Sequence, residues 1–287
     1  MNEVNFFNTA IIFLTIILAA IEPVIAKLAY TQNITPIDLI IVKSIIGALF
    51  ILPVTRCFKW VGLGNFFKLL FLSLLLLSTY FLTLSSLTHL SAVMVITILT
   101  TTPAIVGIIN QALGKVRLNL KFWLGFGLCF GGIILGLNYG DIKYTLIGIL
   151  QISLAVLSST IYRIYLDKLT QDFEVRLIST YIFLINGLII LALFTPKLAR
   201  LNIVSIEFGT WMGIIGVLAN IAFLFSLRKL GSTQISVILM VERPIVLIIA
   251  ALILKEALNL PAILGIVMVL FGIKLAKVET IKRENQT

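Results

Sequence analysis

Six ionisable side chains fall inside long apolar runs of this sequence: Glu22, Lys27, Lys43, Arg163, Glu242 and Arg243. A charge at membrane depth costs about 2.5–3.5 kcal/mol on insertion scales, so each of these groups needs either a wet cavity or a partner. Glu22 and Lys27 are five residues apart, about 140° around a helix, and cannot pair along one face. Each must look to another helix. The adjacent Glu242 and Arg243 point about 100° apart, so one can face a cavity while the other braces a neighbouring helix. An ion-pair latch between helices is the competing reading for that pair. Lys43 lies near the centre of its run and is read as facing a cavity, whereas Arg163 and Lys274 lie near run ends and are read as reaching to the membrane surface. The deeper groups are two acidic, Glu22 and Glu242, and three basic, Lys27, Lys43 and Arg243. That balance suits a carboxylate or zwitterion better than a lipophilic cation.

Uncharged polar groups extend the candidate set. Thr100, Thr101, Thr102 and Pro103 sit at mid-depth, and the proline removes one backbone hydrogen bond and frees the Leu99 carbonyl four residues earlier. That carbonyl is expected to face the cavity, although the threonine hydroxyls can also bond back to their own helix. Pro23 and Pro244 are the corresponding helix-break candidates in other runs. Asn186 is a further binding candidate, with Asn220, Ser158 and Ser159 behind it. Tyr80, Tyr162 and Phe225 are read as packing. Catalytic chemistry finds little support, with a single histidine, His89, no phosphate-cradling loop and no nucleophile beside a base. Neither a metal cluster nor a cofactor site is expected, and Cys57 and Cys129 are read as inert thiols.

The elements that must position these groups follow from composition. Of 287 residues, 60% are hydrophobic and 12% charged, and the mean hydropathy is +1.14. These values indicate an integral membrane protein. Apolar runs of a length suited to a bilayer core of about 30 Å occur at 8–30, 36–54, 65–87, 90–110, 121–138, 144–166, 177–195, 210–227, 233–254 and 261–276. Ten helical spans leave room only for short loops, which excludes a large soluble catalytic or nucleotide-binding domain. The first run lacks a basic leader and is read as an uncleaved span.

A net charge of +10 would point to nucleic acid in a soluble protein, but here its placement decides. With the N-terminus inside, the loops after even-numbered spans and the tail hold thirteen basic residues, from Arg56 to Arg283, against Lys143, Lys197, Arg200 and Lys255 outside. Both termini are therefore expected to be cytoplasmic, and no nucleic-acid partner is expected.

Internal repetition appears at an offset of 141, where Ser91 meets Ser232 and Pro103 meets Pro244. One residue of slip then aligns Gly125 with Gly265 and Gly132 with Gly272, and Gly47 meets Gly187. Two units of five spans lie in opposite orientation because five is odd. The segments "SAVMVITILTTTPAIVGIINQALGK" and "STQISVILMVERPIVLIIAALILKE", each with a mid-helix proline before a charged turn, resemble the drug/metabolite transporter superfamily of ten-span EamA-type carriers. Glu256 fits the family's turn position and Lys115 departs from it. Lys43 stands where the family often has arginine. The resemblance implies an all-α membrane protein of two inverted five-helix repeats, 1–138 and 144–277, around a central cavity, with a short tail at 278–287.

Together these readings predict a non-enzymatic secondary carrier of the inner membrane that moves an amino acid or related metabolite, in the exporting direction, by alternating access. Protons are the candidate coupling ion through Glu22. Uptake or exchange of a nucleotide-linked or methyl-donor compound, of the S-adenosylmethionine type, is the alternative within transport. A non-transporting scaffold is the alternative outside it. The Gly125, Gly127, Gly131, Gly132 and Gly136 stripe is expected to seat another helix of the same chain, in a monomer or homodimer.

Overall fold

The computed structural model describes residues 3–86, 89–90, 92–136, 145–198, 201–254, 260–276 and 278–280, with side chains from Ala10 onward except at scattered positions that include Pro23 and Lys27. Among the described residues the chain is helical almost throughout: α1 (Glu3–Thr31), α2 (Pro36–Thr55), α3 (Leu63–Ser86), α4 (Ala92–Leu99), α5 (Thr102–Ala112), α6 (Leu120–Gly136), α7 (Leu146–Asp172), α8 (Val175–Leu198), α9 (Ile203–Ile238), α10 (Glu242–Leu254) and α11 (Leu260–Leu275). Two short strands, β1 (Val116–Arg117) and β2 (Glu279–Thr280), pair antiparallel. Without water to take backbone hydrogen bonds, helices are the form an open chain can adopt in lipid.

The ten predicted segments fall on described helices, with 210–227 and the start of 233–254 sharing α9, but their number as spans is not matched. By length and hydropathy alone, seven described runs qualify as spans, with Leu120–Leu135 and Ile263–Leu275 as shorter apolar helices. The difference from ten has two sources. One run of 44 residues, Ile203–Val246, covers two predicted segments, and the turn between them is a single residue, Gly231, at φ 75° and ψ 163°. A glycine adopts that conformation without the clash a Cβ would bring. The shorter helices fall below a full bilayer crossing.

Helix starts and stops follow local chemistry. The Thr35 hydroxyl accepts from the Asp38 N–H and donates to the Asp38 carboxylate, while Pro36 opens α2 with its missing N–H at a position that has no partner to lose. At the far end Arg56 turns left-handed, and its N–H closes on the Leu52 carbonyl. These caps fix the register of α2, and with it the depth of Lys43.

The chain forms two compact units, residues 1–77 with 166–229 and residues 78–165 with 230–287. In the first unit α2 packs on α8. A Cβ on Gly187 would lie 2.4 Å from Ala48 Cβ, and one on Gly47 would meet the Phe183 ring at 2.7 Å. Thr55 and Thr180 share a hydrogen bond of 2.8 Å across the same contact.

In the second unit α6 packs on α11. A Cβ on Gly125 would meet the Gly272 carbonyl at 2.5 Å, and one on Gly132 would meet the Gly265 carbonyl at 2.6 Å. As the index rises by seven on one helix it falls by seven on the other, so the two run antiparallel. The contacts are also reciprocal. Gly125 and Gly132 are the repeat equivalents of Gly265 and Gly272, so the contact of Gly125 with Gly272 maps onto that of Gly265 with Gly132, as across an internal two-fold axis.

Loops of the second unit gather by end. Strand β1 pairs with β2, Asn110 Nδ2 donates to Ser232 at 2.7 Å and Thr233 at 2.8 Å, and the Val278 N–H reaches Gln234 at 2.9 Å. Gly148 packs at the opposite end, against His89 and Leu90.

The glycine stripe on α6 is thus divided between packing and exposed faces. Gly125→Ala should destabilise the protein by about 1–3 kcal/mol, because its Cβ meets backbone that cannot swing aside. Gly127→Ala, with nothing within 4 Å, should leave the thermal midpoint in detergent unchanged or slightly raised. Equal midpoints for the two variants would refute the α6 to α11 contact.

Candidate functional site

In the first unit Lys43 on α2 donates to Glu22 on α1. Their side chains are only 12% and 22% exposed, so the charges are largely withdrawn from solvent and lipid alike. Helix α9 makes room for them. A Cβ on Gly216 would lie 3.2 Å from Lys43 Cε and 3.8 Å from Glu22 Oε2, and one on Gly213 would press the Lys43 carbonyl at 3.0 Å. Three helices therefore converge on one ion pair. The partner that Glu22 needs is on α2, which spacing along α1 alone does not reveal.

Polar groups of α8 and α9 belong to the same unit. Ser179 donates to Asn220 Oδ1 at 3.1 Å. Asn186, seven residues further along α8, is 7% exposed, and its Oδ1 has no hydrogen-bond partner among the described residues. A buried carbonyl left in that state costs about 1–3 kcal/mol. The side chains of Lys27 and Pro23 lie outside the described residues, and α1 is helical without interruption through both positions.

In the second unit the predicted fourth span is broken. Helix α4 ends at Leu99, and α5 begins at Thr102 with Pro103 in its first turn. The hydroxyls of Thr100, Thr101 and Thr102 donate to the carbonyls of Ile96, Ile98 and Leu99 at 2.7, 2.6 and 2.7 Å. The Leu99 carbonyl, expected to face a cavity, is therefore taken by Thr102. A threonine side chain in this position bonds back to its own helix and supplies the donor that Pro103 lacks.

The equivalent place in the other repeat breaks as well. A single 3-10 turn, Leu239–Val241, separates α9 from α10, and Pro244 lies in the first turn of α10. Glu242 opens α10, where the helix macrodipole favours a carboxylate. Its Oε1 lies 4.0 Å from Arg243 Nη1. Arg243 also lines a small apolar cavity of about 70 Å³ with Ile96, Gly132 and Pro244, too small for a metabolite, whose sites measure about 300–1,000 Å³.

Arg163 lies elsewhere than the sequence suggests. Rather than reaching for the membrane surface, it donates to Ser236 at 3.2 Å, and Glu242, Arg243, Tyr162 and Tyr80 all lie close enough to act on its charge. Helix α7 runs on to Asp172, which leaves Arg163 about 13 Å from the helix end. The sequence held one signal for it. At the offset that aligns Lys27 and Leu28 with Lys168 and Leu169, Glu22 falls on Arg163.

Two sequence-related halves, each broken beside a mid-helix proline and each carrying charged groups inside apolar helices, define a multi-pass membrane protein of transporter type. Residues 8–137 and 146–277 both match the EamA-like transporter family, and the chain belongs to that family. It is similar in fold to a solved crystal structure, described only as that of a protein, with a TM-score of 0.75 and 13% identity over 94% of this chain and 97% of the other. Comparison with curated proteins gives no sequence match.

Thermal denaturation of single and double variants tests the ion pair. Glu22→Gln and Lys43→Gln should each destabilise the protein, and the double variant should recover part of the loss, with a coupling of about 1–3 kcal/mol. Strict additivity would mean that the two charges do not support one another.

Proposed function

We propose that this transporter is a secondary active exporter of the cytoplasmic membrane, moving a small polar metabolite with a carboxylate, an amino acid or a close relative, by alternating access of its two inverted repeats. The observation that carries this reading is the Glu22 to Lys43 ion pair. A charged pair inside a membrane protein is an internal stand-in for a ligand: a substrate carboxylate can replace Glu22 on Lys43, leaving Glu22 to take a proton or the substrate's ammonium group. Exchange of one ionic partner for another avoids leaving either charge bare in apolar surroundings. Asn186, with its unpaired buried oxygen, is the neutral contact in the same unit. Each charge moved through the full field adds about 2.3 kcal/mol per 100 mV, so a proton coupled to export would supply useful drive.

Arg163 beside Tyr80, Glu242 and Arg243 supports a second reading, uptake or exchange of a larger charged metabolite such as a nucleotide-linked or methyl-donor compound, because guanidinium groups hold phosphates and carboxylates in fixed geometry. A thermal-shift screen separates the two. Amino acids at one hundred times their dissociation constant should stabilise the purified protein by about 2.7 kcal/mol, and stabilisation by nucleotides instead would favour the second reading. In proteoliposomes Glu22→Gln should reduce transport of the stabilising ligand and flatten its pH dependence. Transport with an unchanged pH profile would remove Glu22 from coupling.

The distribution of basic residues among the loops supports an orientation with both termini in the cytoplasm. Arg117→Cys, made in a background without Cys57 and Cys129, should be labelled by an impermeant maleimide only after cells are opened. Labelling of intact cells would reverse the orientation.

A further inference from the structure

The first unit carries an open apolar groove of about 390 Å³ between α2 and α8. Leu49 and Leu188 form its floor and are 66% and 65% exposed, and Phe58, Trp60, Phe66 and Tyr181 form its upper rim. The rim is a built structure. Phe58 stacks on Tyr181 at 5.9 Å, Trp60 stacks on Phe66 at 5.9 Å, and the Tyr181 hydroxyl donates to the Lys59 carbonyl at 3.0 Å. The Lys59 backbone is thereby tied to the rim, with Phe58 and Trp60 on either side of it in sequence.

The charge of the loop between α2 and α3, and of the first turns of α3, has one sign. From Arg56 to Lys68 the chain has three basic residues, Arg56, Lys59 and Lys68, all exposed, and no Asp or Glu. At the turn from α7 to α8, Asp167, Asp172 and Glu174 outnumber Lys168 and Arg176 by one, so the two segments together keep a net positive charge. An apolar slot at membrane depth, an aromatic belt above it and a cap of net positive charge match the three parts of a phospholipid: acyl chain, glycerol region and anionic headgroup.

The geometry points to a specific anionic phospholipid site on this face, with one acyl chain in the α2 to α8 groove and the phosphate held by Arg56, Lys59 and Lys68. The occupant is a lipid rather than a soluble anion, because the floor offers almost no polar surface and the cations stand only at its upper end. The site is independent of the transported substrate, since Glu22 and Lys43 take no part in its lining.

Fluorescence quenching by lipids brominated on their acyl chains reads the groove directly, because Trp60 lines it. In full-length protein carrying Trp123→Phe and Trp211→Phe, reconstituted in nanodiscs, brominated phosphatidylglycerol should half-quench Trp60 at about a tenfold lower mole fraction than brominated phosphatidylcholine. Near a membrane surface one basic side chain is worth about a fivefold preference for anionic lipid, so tenfold corresponds to between one and two of the three cations acting fully on one phosphate. The Arg56→Gln, Lys59→Gln, Lys68→Gln variant should lose the preference while phosphatidylcholine quenching stays the same. Equal quenching of the unaltered rim by the two lipids would overturn the site, leaving only bulk lipid against an apolar face. Failure of both lipids to quench, with disulfide crosslinking between copies through Leu188→Cys, would overturn it in favour of a protein partner. If the triple variant does not fold, weakening of the phosphatidylglycerol preference by 1 M salt in the parent protein decides the same question.

Discussion

In the hydrocarbon of a bilayer no water is at hand for a polar group that the chain leaves unpaired, and that constraint governs nearly every feature of this molecule. It makes the backbone helical. It also explains the threonines beside Pro103, whose hydroxyls return to carbonyls of their own helix. Where the polar group is charged, the same constraint demands a partner on another helix, and Lys43 with Glu22 meets it across α1 and α2. Arg163 with Ser236 meets it across α7 and α9. Among the described residues, serine and threonine hydroxyls return mostly to carbonyls of their own helix, and a smaller set of polar side chains joins one helix to another.

Apolar packing cannot hold such a bundle together in the usual way, because a leucine facing lipid is almost as comfortable as a leucine facing a neighbour. Close approach takes its place. The crossing of α6 and α11 brings backbone atoms of Gly125, Gly132, Gly265 and Gly272 so near that a single Cβ would collide. Because these glycines are equivalent between the repeats, one small-residue pattern serves both sides of the contact. Duplication of one sequence thus gives a self-complementary interface, and the α2 to α8 contact around Gly47 and Gly187 follows the same logic.

How much of this was legible in the sequence depended on whether a feature is local. The apolar runs, the turn at Gly231 and the helix breaks before Pro103 and Pro244 are set by neighbours along the chain, and each lies where the residues indicate. Pairing between helices is another matter. Most of these helices are apolar on every side, so periodicity does not say which face meets protein, and nothing in the spacing of Glu22 selects Lys43 over Lys27 or Arg243. Arg163 was misjudged for a related reason. Its depth depends on where α7 ends, and the polar residues Asp167, Lys168 and Gln171 resemble a loop although the helix continues through them to Asp172.

A fold shared with another protein at 13% identity over nearly its full length shows how little of the sequence the architecture requires. Lipid accepts almost any large apolar residue, helix crossings ask only for small ones, and breaks need a proline. These demands leave the identity of most positions free. They therefore cannot encode what the protein transports. The proposed function therefore looks to side chains that lipid would otherwise exclude, Glu22, Lys43, Arg163, Asn186, Glu242 and Arg243 among them. An ion pair in water can be lost by drift at little cost, but one withdrawn from both water and lipid strands its partner if either member goes. The two charges must then be kept or changed together, and that joint restriction is why the proposed function rests on Glu22 and Lys43.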